Sequence, residues 1–142
     1  MFVGCDEPGE KENEKPIHYF SKVLGEFDAE MGYSIHETQD GGFIISGATS
    51  SYWATDSLPK IAMPTHGVTN AIVVKIDSIG EQEWIKTFGG ELFESAFNAK
   101  ETSDGGYFFA GYTNSFGKGL YDFWLVKLDE DGQKTWEKTY GT

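Results

Sequence analysis

The sequence predicts an all-β fold built from four-stranded units, and three observations support this prediction. The chain carries an internal repeat, Asp-Gly pairs mark its turns, and no segment shows the 3.6-residue hydrophobic period of a long helix. The 142 residues include 18 glycines and 15% aromatic residues, which is typical of an all-β protein with many tight turns. We therefore expect two four-stranded antiparallel units and an extra N-terminal strand.

The internal repeat is visible when the chain is aligned with itself. Residues 20–51 match 84–115 without a gap, and residues 70–90 match 122–142. The offset between matching residues falls from 64 to 52, so the first unit carries an insertion of 12 residues somewhere in 52–69. Self-similarity at a fixed period of this length indicates a protein assembled from repeated supersecondary units.

The repeat predicts the limits of the domain and of its units. Residues 17–142 form the repeat domain, in which repeat one covers about 20–83 and repeat two about 84–135. A third repeat begins at 136–142. The extra N-terminal strand lies at 18–24, because this segment aligns with a fourth strand.

Each unit is predicted to contain four short strands, separated by turns. The predicted strands are 33–38, 43–48, 71–76 and 83–88 in the first unit, and 97–102, 107–112, 123–128 and 135–140 in the second. The third strand of each unit is almost entirely apolar, which indicates a strand buried on both faces of the sheet.

The residues that define the repeat lie in its first turn and its last strand. They are Asp40, Gly41, Gly42 and Trp84 in the first unit, and Asp104, Gly105, Gly106 and Trp136 in the second. Asp-Gly between apolar runs is a strong hairpin signal, because glycine adopts positive φ without steric cost. We expect the aspartates to cap these turns and the tryptophans to pack between units rather than to stack on a ligand.

Four-stranded units at a fixed period are the sequence signature of β-propeller blades, so we expect a β-propeller-like fold. Propellers have four to eight blades, and this chain carries two with parts of others. We therefore expect either a fragment of a larger propeller, with downstream blades missing, or a ring that closes by self-association.

The combined repeat motif is D-G-G-[FY]-x-x-x-G-x-T followed by V-K-[IL]-D-x-x-G-x-x-x-W-x-K-T-[FY]-G. It resembles the SBBP-type β-propeller repeat family of bacterial secreted and surface proteins, over residues 18–142. The resemblance implies an extracytoplasmic, non-enzymatic module that acts in protein or glycan binding or as a structural scaffold. It implies no cofactor.

The N-terminus, residues 1–16, resembles the remnant of a lipoprotein lipobox followed by a flexible tether. Gly4 precedes Cys5 as a small residue precedes the lipidated cysteine of bacterial lipoproteins, and 6–16 has no apolar residue that could enter a core. Only four residues precede Cys5, fewer than a signal peptide needs, so either the true start lies upstream or the match is a chance one and Cys5 is an incidental free cysteine. The expected location is the bacterial cell surface or a membrane, reached through a lipid anchor at Cys5.

Composition excludes several classes of partner. The formal net charge is −12, which repels phosphate backbones and argues against nucleic acid and anionic lipid surfaces. One cysteine excludes an internal disulfide framework and a cysteine-cluster zinc site. The partner we expect is therefore a protein or a glycan, and contact with a membrane would come only through the anchor.

The insertion in the first unit is the segment best suited to carry a ligand, because loops on a rigid scaffold commonly carry function. Its candidate ligand-binding residues are Tyr52, Trp53, Asp56 and His66. No nucleophile, base and orienting group occur together in the pattern that catalysis requires, so we identify no catalytic residue.

Two alternatives concern the turn before the fourth strand. Asp129-x-Asp131-Gly132 resembles the start of a calcium loop, but it lacks the distal acidic ligand, so a turn is favoured over a metal site. The pattern Asp-x-x-Gly-x-x-x-Trp also resembles the tryptophan-docking motif of quinoprotein dehydrogenases. A PQQ-type dehydrogenase propeller fragment is therefore the alternative function, although the spacing has one residue fewer and the preceding alanine is absent.

Overall fold

The computed structural model describes residues 21–23, 29–50 and 69–142, and this part of the chain is all-β without a helix. Eight antiparallel strands form two four-stranded sheets, in the orders β1-β2-β3-β4 and β5-β6-β7-β8, and neither is closed into a barrel. The strands are β1 (Glu30–Glu37), β2 (Phe43–Thr49), β3 (Asn70–Ile76), β4 (Gln82–Phe88), β5 (Glu94–Glu101), β6 (Tyr107–Thr113), β7 (Asp122–Leu128) and β8 (Lys134–Tyr140).

Six of the eight strands lie within one residue of their predicted positions, and the first strand of each sheet begins three residues earlier than expected. In both, the pairing register shifts by one residue, between Gly32 and Ser34 in β1 and between Ala96 and Asn98 in β5. Such a β-bulge interrupts the two-residue alternation of side chains, so the pattern is regular only after it. The prediction therefore missed the part of each strand that precedes the bulge.

The other predicted limits compare with the structure as follows. The predicted tether, the predicted lipidation residue Cys5 and most of the predicted extra strand at 18–24 lie outside the described residues; residues 21–23 are exposed and form no strand. The sheets run over 30–88 and 94–140, whereas the predicted repeat limits after residues 83 and 135 fall near the beginning of β4 and of β8. The repeat limits and the sheet limits are therefore offset along the chain. A sequence repeat can be counted from any residue, whereas a sheet ends where its hydrogen bonding ends.

Each sheet has two faces, which we name after a residue that both units share. The Trp face of the first sheet carries Ile44, Ala48, Ala71, Val73, Lys75, Trp84 and Phe88, and its equivalents in the second are Phe108, Tyr112, Phe123, Leu125, Lys127, Trp136 and Tyr140. The Val face of the first sheet carries Ile35, Phe43, Ile45, Ile72, Val74, Ile76 and Ile85, and the second sheet presents Ala99, Tyr107, Phe109, Trp124, Val126, Leu128 and Glu137 at these positions.

The two sheets pack with the Trp face of the first against the Val face of the second. The Trp84 ring lies 5.5 Å from that of Tyr107 and the Phe88 ring 5.2 Å from that of Phe109, measured between centroids. The buried cluster at this contact contains residues of both faces, with Ile44 among those of the first sheet. The contact is heterologous, because equivalent units meet through different faces.

Gly47 and Gly111 allow the bulged strand to approach β2 and β6 closely. A Cβ at Gly47 would lie 2.0 Å from the carbonyl oxygen of Met31, and one at Gly111 would lie 1.7 Å from that of Ser95. Backbone atoms cannot move aside as a flexible side chain could. The repeated glycine of the G-x-T motif is therefore required by the bulge across from it.

Substitution of either glycine by alanine tests this requirement. We expect Gly47→Ala and Gly111→Ala each to lower the free energy of unfolding by about 1–3 kcal/mol, as overpacking does. Gly32→Ala is the matched control in the same strand pair, because a Cβ there meets nothing within 4 Å. Urea denaturation measures all three, and equal stabilities for Gly47→Ala and Gly32→Ala would contradict the account.

Candidate functional site

The two repeat tryptophans occupy equivalent positions in different environments. Trp84 is partly buried between the sheets, whereas 40% of Trp136 is exposed on the Trp face of the second sheet. Trp136 contacts Phe108 in its own sheet, with ring centroids 5.2 Å apart. The structure thus places Trp84 at the contact between units and Trp136 on an open surface.

Aromatic side chains cover much of that open surface. The ring of Phe123 lies 6.1 Å from that of Tyr140, and the ring of Phe97 lies 5.4 Å from that of Tyr112. Phe123 is 51% exposed and Tyr140 is 54% exposed. Large exposed apolar patches on a protein commonly mark interaction surfaces. This face is therefore a candidate binding surface.

A lysine ties the first turn of each sheet to the third strand. Lys75 Nζ lies 2.8 Å from Asp40 Oδ2 and 2.7 Å from Glu83 Oε2, and only 1% of the Lys75 side chain is exposed. Lys75 Nζ also donates to the carbonyl of Ile76. A buried ammonium group is costly unless it is paired and hydrogen-bonded, and this one has three acceptors.

Each charged group of this cluster stabilises the charged form of its partner. Burial acts to lower the pKa of Lys75, but hydrogen bonds to Asp40 and Glu83 outweigh it and raise the pKa above its usual value. The hydrogen bond from Lys75 is the main cause that lowers the pKa of Asp40 to about 2. Asp40 also accepts from the amide of Gly42, as expected for a residue that caps its own turn.

In the second unit, Lys127 makes the equivalent contact between the third strand and the first turn. Lys127 Nζ donates to Asp104 Oδ1 over 2.7 Å and to Thr102 Oγ1 over 2.5 Å. The hydrogen bond from Lys127 is the main cause that lowers the pKa of Asp104. Thr135 occupies the position of Glu83, and the Lys127 ammonium lies 5.1 Å from the centre of the Phe108 ring. No second sheet covers Lys127 in the described part of the chain, and its side chain is 12% exposed.

The turns between the third and fourth strands are built by aspartate side chains. Asp77 Oδ1 accepts from the amides of Ile79 and Glu81, and Asp129 Oδ1 accepts from the amides of Asp131 and Gln133. Gly80 and Gly132, the fourth residue of each turn, have positive φ. Within the residues that the structure describes, no group of three or more His, Cys, Asp or Glu side chains could hold a metal ion.

A buried glutamate anchors the loops at the opposite end of the second sheet. Glu94 is fully buried, and its Oε1 accepts from Thr113 Oγ1 and from the amide of Ser115. Its Oε2 accepts from the amide of Gly90. Sequence reasoning did not assign Glu94, although the identity of Glu30 and Glu94 in the repeat was a usable signal.

The remaining sequence-predicted site residues cannot be placed beside these clusters. Tyr52, Trp53, Asp56 and His66 lie outside the described residues, as does Cys5. In the ranges 21–23, 29–50 and 69–142, the structure contains no helix long and apolar enough to cross a bilayer.

No protein-family model matches this chain, and no curated protein matches it either. The structure therefore classifies this protein by its fold alone. The fold is all-β, with two four-stranded sheets packed face to face.

The Lys75 cluster predicts how stability depends on pH. Because the pKa of Asp40 is about 2 in the folded state and 3.8 ordinarily, its contribution is complete above pH 4 and is lost as the pH falls towards 2. We expect Asp40→Asn to flatten the rise of stability between pH 2 and 4, and Asp40→Asn/Asp104→Asn to flatten it further. Urea denaturation across this range measures the slope.

The control for this experiment is Glu91→Gln, which changes an exposed acid in the loop between the sheets. It removes one carboxylate without touching either lysine. If the control flattened the slope as much as Asp40→Asn, the effect would belong to net charge, and the ion pair would contribute nothing specific.

Proposed function

We propose that this chain is a non-enzymatic β-propeller repeat module that works outside the cytoplasm and binds a protein or a glycan. The observation that carries the proposal is the heterologous contact between equivalent sheets, in which one face of a unit meets the other face of the next. Propeller blades stack in this way around a common axis, and each presents its connecting loops at the ends of the sheets.

The described clusters support a scaffold rather than a reaction centre. Lys75, Asp40 and Glu83 satisfy one another at a turn, and Glu94 is occupied by loop amides and a hydroxyl. Both arrangements hold backbone segments in place through hydrogen bonds made within the fold. The proposal therefore assigns ligand contact to loops carried by the sheets, in particular the insertion with Tyr52, Trp53, Asp56 and His66.

The acidic sequence and the N-terminal pattern support the location. A net charge of −12 suits a solvent-exposed protein that avoids nucleic acid, and Gly4-Cys5 resembles a lipidation site. The proposed arrangement is a lipid anchor at Cys5, a tether over 6–16 and a folded module beyond it, on the surface of a bacterium.

Ligand binding is tested with a glycan array and with pull-down from surface extracts. We expect Tyr52→Ala/Trp53→Ala to lose at least roughly ten-fold in affinity for whichever ligand the wild type captures, because aromatic rings are typical anchors at binding surfaces. Leu120→Ala is the matched control, since Leu120 is 80% exposed and lies outside the insertion. Absence of any ligand, or equal binding by the double variant, would contradict the assignment of the loop.

The lipid anchor proposed at Cys5 is tested on the natural gene product. Metabolic labelling with an alkyne-tagged fatty acid should mark the wild type and leave Cys5→Ala unmarked. A wild type that stays unlabelled and remains in the soluble fraction would remove the anchor from the proposal while leaving the ligand experiment untouched.

A further inference from the structure

The Trp face of the second sheet is open at its centre as well as at its edges. On β6, β7 and β8 none of the side chains of this face is buried, and these include Ala110 and Leu125 at its centre. Phe123, Trp136 and Tyr140 are each at least 40% exposed. Within the described part of the chain, no second sheet lies against this face.

The strand register arranges the side chains of this face in three rows that cross the strands. The Trp row consists of Lys100, Phe108, Lys127 and Trp136. The middle row consists of Asn98, Ala110, Leu125 and Lys138. The Tyr row consists of Tyr112, Phe123, Tyr140 and the bulge residue Phe97, whose ring packs against that of Tyr112.

The middle row forms the floor of a shallow trough between the two aromatic rows. The Trp row and the Tyr row are four residues apart on β6, β7 and β8, which separates them by about 13 Å. Ala110 and Leu125 are shorter than the rings on either side, and Asn98 and Lys138 place polar groups at the two ends of the floor. The trough therefore crosses all four strands, a width of about 14 Å.

The rings that form the walls of the trough support one another. In the Tyr row, the ring of Tyr121, which precedes β7, lies 5.2 Å from that of Tyr112 and extends the wall. In the Trp row, Phe108 lies between Trp136 and the Lys127 ammonium. Tyr and Trp side chains have few rotatable bonds, so they lose little conformational entropy when they contact a ligand.

The charged side chains that the strands place on this face are all lysines. Lys127 pairs with Asp104, whereas Lys100 and Lys138 form no hydrogen bond or ion pair within the described residues. The acids of the same strands, Glu101 and Glu137, lie on the Val face by their register. The trough is therefore a cationic region on a chain whose formal net charge is −12.

The equivalent face of the first sheet has different side chains, which suit it to packing. Its Ala48 and Ala71 are fully buried, and the second sheet has Tyr112 and Phe123 at these positions. His36 of the first sheet corresponds to Lys100. A sheet that docked on the trough would have to bury the unpaired Lys100 ammonium, which is costly.

We propose that this trough binds a short glycan segment with uronic-acid carboxylates, whose sugar rings lie against the aromatic rows and whose carboxylates pair with Lys100 and Lys138. The inference adds a second site to the proposed function and rests on glycan as its ligand class. It is independent of the loop that carries Tyr52 and Trp53.

The position of the lysines favours a glycan over a protein partner. Lysine is depleted in protein–protein interfaces, and their centres contain few charged residues. Here Lys138 lies between Trp136 and Tyr140 on the same face of β8. A sugar ring has apolar C–H groups that can cover an aromatic ring while its hydroxyl groups stay in water, so a ligand of this kind leaves the lysines partly solvated.

The charge balance limits the length of the acidic segment. A net charge of −12 repels a long polyanion, as it repels nucleic acid. Lys100 and Lys138 can neutralise one or two carboxylates, and the charges elsewhere on the protein are screened beyond about 8 Å at physiological ionic strength. A short segment therefore gains the local attraction without most of the general repulsion.

Isothermal titration calorimetry of the 142-residue chain with trigalacturonate tests the proposal. The comparison ligand is its methyl ester, which has the same sugar rings without the charge. We expect the wild type to bind the acid at least roughly five-fold more tightly than the ester, and this preference to shrink as salt is added.

The lysine variants test the charge contacts. Lys100→Gln/Lys138→Gln should bind the acid and the ester equally, because the unpaired ammonium groups of the face are gone. Lys134→Gln is the matched control, since Lys134 lies on the Val face of the same strand as Lys138. The control should keep the wild-type preference for the acid.

The aromatic variants test the walls. Trp136→Ala/Tyr140→Ala should lose at least roughly ten-fold in affinity for both sugars. Trp136→Phe/Tyr140→Phe is the conservative control, which keeps a ring at each position and should retain most of the affinity. Both residues are largely exposed, and circular dichroism verifies that each variant is folded.

Four results would overturn the proposal. They are no binding of trigalacturonate by the wild type up to about 10 mM, equal affinity for acid and ester, tighter binding of a single-stranded oligonucleotide than of the sugar, and a wild-type dimer that the sugar does not dissociate. Tyr52→Ala/Trp53→Ala should bind trigalacturonate like the wild type. Failure of this titration would therefore contradict the trough alone, and failure of the glycan array and pull-down would contradict the loop alone.

Discussion

Each sheet of this protein is apolar on both faces, and a single sheet of this kind cannot stay folded with both faces in water. The contact between the Trp face of the first sheet and the Val face of the second removes this conflict for one face of each. Burial of a large apolar side chain contributes roughly 1.5–3 kcal/mol, so a cluster containing Phe109, Trp124 and Leu128 is a dominant source of stability.

The lysine ties show how polar groups are accommodated in such a contact. Lys75 lies in an almost entirely apolar strand and points to the face that the second sheet covers. Its carboxylate partners reach it from the turn before β2 and from β4, at the edge of the contact. The aliphatic stem can pack between the sheets while the charge is satisfied at the rim. The equivalent lysine of the second sheet, Lys127, is paired in the same way, and no other sheet covers it within the described residues.

Much of the fold could be predicted from the sequence, because its determinants are local. Asp-Gly turns and short apolar runs located eight strands, and the repeat related them in two sets of four. The bulges at Gly32 and Ala96 were missed because they disturb the alternation on which strand assignment depends. The propeller arrangement, the family resemblance and the lipid anchor remain predictions.

The site was less predictable, because its features depend on contacts between distant residues. Lys75 and Glu83 are eight residues apart and Lys75 and Asp40 are thirty-five apart, so only the folded sheet brings these charges together. The sequence motif also could not show that Trp84 is covered while Trp136 is open, since both occupy the same position in the repeat. Which faces meet is decided by the packing of whole sheets.

A double-mutant cycle between Phe88 and Phe109 tests the contact between the sheets most directly. Their rings lie 5.2 Å apart and belong to different sheets, so no shared strand pairing can couple them. The free energies of unfolding of Phe88→Ala, Phe109→Ala and the double variant should give a coupling of about 0.5–1.5 kcal/mol. Additive effects, with no coupling beyond experimental error, would contradict the packing of these two faces.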